Sequence, residues 1–137
     1  MKSIKNIRIG NYDYSQNGYY FVTVCSHLNQ PFLKTNRSSI EYAINETGNY
    51  EGVTIDYYVI MDNHIHSIII LENCALKLGE IVRRLKALAS KKAGTQLWQP
   101  NYYEHVIRNE DALQRIRTYI ENNPVVEKLK FEEFYEK

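Results

Sequence analysis

Two histidines one residue apart, His64-Ile65-His66, open a run of β-branched residues that ends at Leu71. Side chains alternate along a strand, so both imidazoles face one way while Ile65 faces the other. Two ring nitrogens so placed can chelate one divalent ion and leave positions for a third protein ligand, a substrate oxygen and water. A solvated surface pair would show the same pattern, so the chemistry needs a partner. A second segment offers one: Tyr119 and Asn123 are four apart, which on a helix puts phenol and amide on one face. The Asn123 amide oxygen is a hard donor and a candidate third ligand. The phenol could then lie beside a metal-bound phosphate, where a Lewis acid on a phosphoryl oxygen favours covalent attack. It needs that help, because an ordinary pKa of about 10 keeps a phenol protonated near neutrality. The bland reading of Tyr119 is a packed helix aromatic.

Residue type alone does not single out a nucleophile among twelve tyrosines. Tyr102 and Tyr103 lie close to His105, but adjacent strand residues face opposite ways, and one of the two is more simply a core residue or a platform for a base. Tyr12, Tyr14 and Trp98 are further stacking candidates, with core packing the simpler role for Trp98. Arg115 and Arg117 lie within one helical turn of Tyr119 and are candidate phosphate contacts, although a solvated helix face explains them equally well. Between Gly79 and Thr95, Arg83, Arg84, Lys86, Lys91 and Lys92 stand against the single acid Glu80, and Lys2, Lys5 and Arg8 form a second basic cluster. The formal net charge is only +1, so any attraction for a polyanion is local.

Positioning these groups is the task of the elements around them. Tyr19 to Ser26 reads as a strand after the turn-prone Ser15-Gln16-Asn17-Gly18. Ser38 to Asn45 reads as a short helix, capped by Ser38 or Ser39 and ending near Thr47-Gly48. Val53 to Met61 and His64 to Leu71 form a hairpin about Asp62-Asn63. Leu78 to Lys92 carries apolar residues at three-and-four spacing with basic residues between them, and Gly94-Thr95 ends that helix. Tyr102 to Ile107 is a fourth strand. Asn109 caps a helix whose first turn holds Glu110 and Asp111, whose buried face is Leu113, Ile116 and Ile120, and which Pro124 closes. The tail from Val125 to Lys137 reads as another short helix. This order predicts an α+β fold, a ferredoxin-like antiparallel sheet with helices on one face plus a C-terminal helix carrying the tyrosine.

At 137 residues, with 44% hydrophobic and 24% charged residues and no low-complexity tract, the chain reads as a single domain, residues 1–137. The longest apolar stretch is far too short for a bilayer and no signal pattern opens the chain, so a cytoplasmic protein without membrane association is expected. Cys25 and Cys74, far apart and each alone, are read as buried thiols.

Four segments in order, YDYSQNGYYFVT (12–23), YYVIMDNHIHSIIIL (57–71), LGEIVRRLKALASKK (78–92) and WQPNYYEHVIRNEDALQRIRTYIENNP (98–124), resemble the single-tyrosine HUH transposases of the IS200-like superfamily, within them the REP-associated tyrosine transposases. The resemblance implies that His64 and His66 are the paired metal ligands, that Tyr119 is the nucleophile, and that Asn123 stands where relatives carry a third ligand. It further implies Mg²⁺ or Mn²⁺, a single-stranded DNA substrate with a nearby hairpin, and a 5′-phosphotyrosine intermediate passed to a 3′-hydroxyl. Asp62 departs from the proline usual in that family before Asn-His, and Pro100 from a common basic residue. Because Asn123 precedes Pro124, which biases it away from helical geometry, Asn122 competes as third ligand.

Two other functions fit some of the residues. A non-catalytic single-stranded nucleic-acid-binding module would use the aromatics and cations but leave His64, His66 and Tyr119 idle. A metallohydrolase would use the histidines and release a free product. Finally, Ile68 and Ile70 share the His66 face while Ile69 and Leu71 share the other, so both sheet faces need cover, and a homodimer is the expected source.

Overall fold

A computed structural model of the chain describes residues 17–122. Tyr12, Tyr14, Lys2, Lys5, Arg8, Asn123, Pro124 and the tail helix expected over 125–137 lie outside those residues. The elements are β1 (Gly18–Cys25), α1 (Arg37–Gly48), β2 (Val53–Ile60), β3 (His64–Leu71), α2 (Leu78–Ala93), β4 (Tyr103–Val106) and α3 (Glu110–Asn122). The strands form one sheet in the order β2-β3-β1-β4, with every neighbouring pair antiparallel. This is the ferredoxin-like arrangement that the order of elements predicts: β3 returns between β1 and β2, and β1 separates β3 from β4.

Both faces of the sheet are covered because its central strands are apolar on both sides. One set of alternating residues, including Tyr20, Val22, Ile65 and Ile69, packs under α1 and α2 through Ile40, Ile44, Ile81 and Leu85. The other set, Tyr19, Phe21 and Ile68, packs under α3 through Leu113, Ile116 and Ile120. A second copy of the chain is therefore not needed to cover the Ile68 face, since the tyrosine-bearing helix already does so.

Local signals explain most boundaries. The α2 helix ends where Gly94 adopts a left-handed conformation, φ 76°, and its N–H donates to the carbonyls of Ser90 and Lys91. At the start of α3 the Asn109 side-chain oxygen accepts from the Ala112 N–H at 2.8 Å, with Glu110 and Asp111 in the first turn. The start of α1 differs from expectation. It begins at Arg37, so Ser38 and Ser39 lie inside it, and Asn36 directs its amide to the Phe32 carbonyl at 2.8 Å instead of capping. Cys74 is buried as expected, but Cys25 is only half-buried, because it closes β1 at the margin of the sheet, and that partial burial raises its thiol pKa. No helix among the described residues is long and apolar enough to cross a membrane.

Two glycines separate backbone strain from steric collision. Both adopt positive φ, 82° at Gly52 and 76° at Gly94, but a Cβ at Gly52 would lie 2.7 Å from the Glu72 carbonyl oxygen whereas one at Gly94 would meet nothing within 4 Å. Gly94→Ala is expected to cost about 1 kcal/mol, the ordinary left-handed penalty. Gly52→Ala should cost clearly more, and equilibrium denaturation of the two variants measures the difference; equal losses would mean that the Gly52 turn yields freely.

Candidate active site

The imidazoles sit on the α3 face of the sheet, where the alternation of β3 puts His64, His66 and Ile68 in one column. Their ring centroids are 4.6 Å apart with planes inclined by 63°. His66 is buried and packs 5.1 Å, centroid to centroid, from Phe21. Each ring is held through Nδ1. In His64 that nitrogen lies 2.8 Å from the Asn63 side-chain oxygen, which can only accept, so Nδ1 carries a proton, and in the neutral ring Nε2 then holds the lone pair. In His66, Nδ1 lies 2.8 Å from the Thr23 hydroxyl, its cross-strand neighbour on β1. Burial, and secondarily the proximity of His64, push the His66 pKa down to about 4, so the ring is neutral at physiological pH. A neutral imidazole whose Nδ1–H is held by an outer partner is the form that binds metals.

The donor set fits a divalent cation on one further observation. His66 Nε2 is buried and has no hydrogen-bond partner among the described residues, and a buried ring nitrogen left unmet is costly unless something binds it. Nε2 of His64 is likewise shielded from solvent. Among the described residues no group of three His, Cys, Asp or Glu side chains converges. The expected third ligand, Asn123, lies outside the described residues.

Tyr119 lies on the same side of the sheet as the histidines. It is half-buried and packs at the margin of the Phe21–Ile68–Ile116 cluster, together with Val59, which is the direct β2 neighbour of His66. The phenol thus borders the apolar cluster whose Phe21 also touches His66. What orients α3 is a pair of residues that sequence periodicity does not reveal. The pairing of β2 with β3 slips between Ile55 and Tyr58, leaving Asp56 and Tyr57 together opposite Ile68. Arg117 meets both: its Nε donates to the Asp56 carboxylate at 2.6 Å, and its guanidinium lies 5.8 Å from the Tyr57 ring centroid. These side chains are only 11% and 20% exposed, so the ion pair fixes α3 on the sheet two residues before Tyr119.

The expected phosphate contacts fall into separate places. Arg117 is committed to Asp56, and Arg115 forms an exposed ion pair with Asp111 at 3.1 Å. The cations of α2 lie on the opposite layer from the histidines. Arg83 and Arg84 both grip Glu80 at 2.6 Å and hold its carboxyl pKa down to about 2. Lys86 donates to the carbonyls of Gln99, Pro100 and Asn101, which joins α2 to the segment leading into β4, and partial burial lowers its pKa. Lys92 lies over the Tyr42 ring, and Lys91 is exposed. Trp98 is buried, as its simpler reading has it, with its indole N–H donating to the Lys86 carbonyl. Thr23 and Asn63 were not among the sequence candidates. Asn63, next to His64, offered a local clue; Thr23 could be found only once its strand was paired.

Comparison with known proteins bears on the same residues. Residues 13–123 match the family described as Transposase IS200 like. A Haemophilus influenzae protein described only as uncharacterized is 34% identical, over 89% of this chain and 88% of its own length. The REP-associated tyrosine transposase of Escherichia coli is 27% identical, over 82% of this chain and 69% of its own. A solved REP-associated tyrosine transposase bound to a REP hairpin superposes with a TM-score of 0.72 at 26% identity, covering 89% of this chain and 73% of that one.

The helix anchor makes a stability prediction. Asp56→Ala leaves Arg117 largely buried without its carboxylate and is expected to cost roughly 3 kcal/mol. Joint replacement of Asp56 and Arg117 by alanine should cost less than the sum of the single losses in a denaturation cycle. A loss well under 1 kcal/mol for Asp56→Ala would class the pair with surface ion pairs that hold nothing in place.

Proposed function

The chain belongs to the IS200-like transposase family, and from that premise we propose that it cleaves and rejoins single-stranded DNA beside a hairpin, with Tyr119 as nucleophile and His64 and His66 as metal ligands. One observation carries the reading: two imidazoles, each held through Nδ1, with the buried Nε2 of His66 unmet by hydrogen bonds, lie on the sheet face covered by the helix that bears Tyr119. The relative solved with a REP hairpin supports the choice of a hairpin-flanked substrate.

In this mechanism the Tyr119 phenolic oxygen attacks the scissile phosphorus as its proton leaves to solvent. A bond forms from the tyrosine oxygen to phosphorus, the bond to the 3′-oxygen breaks, and that oxygen takes a proton from solvent and leaves as a 3′-hydroxyl while the 5′-phosphate remains on Tyr119. Attack by an incoming 3′-hydroxyl reverses the exchange and restores the phenol, so one phosphodiester is traded for another. A divalent cation bound by the histidines would supply Lewis-acid polarisation of a phosphate oxygen. Thr23 and Asn63 orient the ring nitrogens, and the Asp56–Arg117 pair holds α3 in register. Asn123 is proposed as the third ligand. Imidazole nitrogens suit Mn²⁺ better than the strongly oxygen-seeking Mg²⁺. Arg115, one helical turn before Tyr119, is the cation best placed along α3 to meet a phosphate. Arg83, Arg84, Lys91 and Lys92, on the other layer, would serve a flanking stretch of DNA, and Lys86 would do so only by giving up its carbonyl partners.

Hairpin-flanked single-stranded DNA incubated with the protein and Mn²⁺ should give a covalent protein–DNA adduct, resolved on a denaturing gel. The adduct should vanish in Tyr119→Phe and with chelator, fall at least 100-fold in rate in His66→Ala, and form faster with Mn²⁺ than with Mg²⁺. Undiminished adduct in Tyr119→Phe removes that residue from the chemistry. Cleaved DNA that is never protein-linked would instead indicate a hydrolase, and retention without cleavage a binding module.

A further inference from the structure

The histidine column of β3 is crossed by a row of side chains that runs to the edge of the sheet. His66 pairs across strands with Val59 of β2 on one side and Thr23 of β1 on the other, and Thr23 pairs in turn with Tyr103 of β4. Directly paired residues in an antiparallel sheet project from the same face, so Val59, His66, Thr23 and Tyr103 form one line on the α3 side. Two strand spacings separate Tyr103 from His66, roughly 10 Å between backbones. Within that row burial changes abruptly: His66 is 8% exposed, whereas Tyr103 is 64% exposed.

Few large apolar side chains are so exposed among the described residues; the others are Leu28 and Tyr42. Tyr42 lies beneath the Lys92 ammonium on the opposite layer, and Leu28 lies on the loop beyond β1. Tyr103 alone of the three shares a cross-strand row with the imidazole pair. Its neighbour Tyr102 points to the other face and packs against the first core, with its hydroxyl at Gly79. The alternation thus assigns one of two adjacent tyrosines to the interior and leaves the other as an open ring beside the site.

We infer that Tyr103 is a platform on which a base of the single-stranded DNA stacks next to the phosphate held at the histidines. This deepens the proposed function and rests on it. A single strand bound by its phosphates turns its bases away from stacked neighbours, and an exposed aromatic face recovers that lost stacking without selecting a sequence. Among the described residues β4 is an edge strand, so the approach to the ring is open on the side away from β1.

The test compares two probes that differ only in their bases: a fluorescently labelled oligothymidylate, and an abasic strand with the same number of phosphates. Binding is measured with chelator present, so no cleavage is required. Tyr103→Ala is expected to weaken oligothymidylate binding roughly 5- to 100-fold, while Tyr103→Phe and Tyr103→Trp stay near wild type. Abasic-strand affinity should be the same for wild type and Tyr103→Ala. The inference is overturned if Tyr103→Ala binds oligothymidylate like wild type, if it loses both probes equally, or if the wild-type protein does not prefer bases to the bare backbone. Failure of the Tyr119 adduct assay with this binding pattern intact would overturn the strand-transfer reading and leave the platform standing.

Discussion

The constraint on which this molecule depends is the two-residue period of β3, a strand buried on both faces. A single register satisfies it: Ile65 and Ile69 must enter the layer under α1 and α2, and Ile68 the layer under α3. A slip by one residue would exchange every side chain between the layers. The histidines inherit their orientation from this requirement. They face α3 because the isoleucines between and after them leave no other choice, and the Phe21 and Thr23 contacts of His66 follow from the same pairing.

Much of this was legible in the sequence because it is written in short-range periodicity. Alternation in β3 gave the common direction of His64 and His66, three-and-four spacing gave α2 and the buried face of α3, and Asn109 and Gly94 marked ends with side-chain and left-handed caps. The order of elements sufficed for the sheet topology, since a strand-helix-strand-strand-helix-strand chain with short connections has few compact solutions. The start of α1 departs from its serine signal because a serine before an apolar run caps a helix only when the backbone there is not already helical, and the turn at Lys34–Asn36 feeds directly into Arg37.

Features that depend on long-range partners were not legible. A basic residue in a helix reads as a free cation, yet Lys86 meets three carbonyls more than ten residues away and Arg117 meets a carboxylate on another strand. Cys25 reads as a core thiol because its strand is apolar, but it is the last residue of that strand and only half enclosed. The cover that the second sheet face needs comes from within the chain for a related reason: the helix read chiefly as the carrier of the phenol also serves as the lid of the second core. Carrying Tyr119 and covering the sheet are then one role, because the same contacts that bury Ile116 and Ile120 bring Tyr119 to the histidine side.

The irregularity in β2 has a bearing on how this chain can change over generations. One surplus residue between Ile55 and Tyr58 is what turns both Asp56 and Tyr57 toward Arg117. Deleting it would restore a regular ladder and leave only one of those groups beneath α3, whereas loops elsewhere absorb length changes with little effect. The strand is therefore counted rather than merely patterned. Descendants of this sequence should tolerate exchange of many residues in β2 while treating its length as fixed.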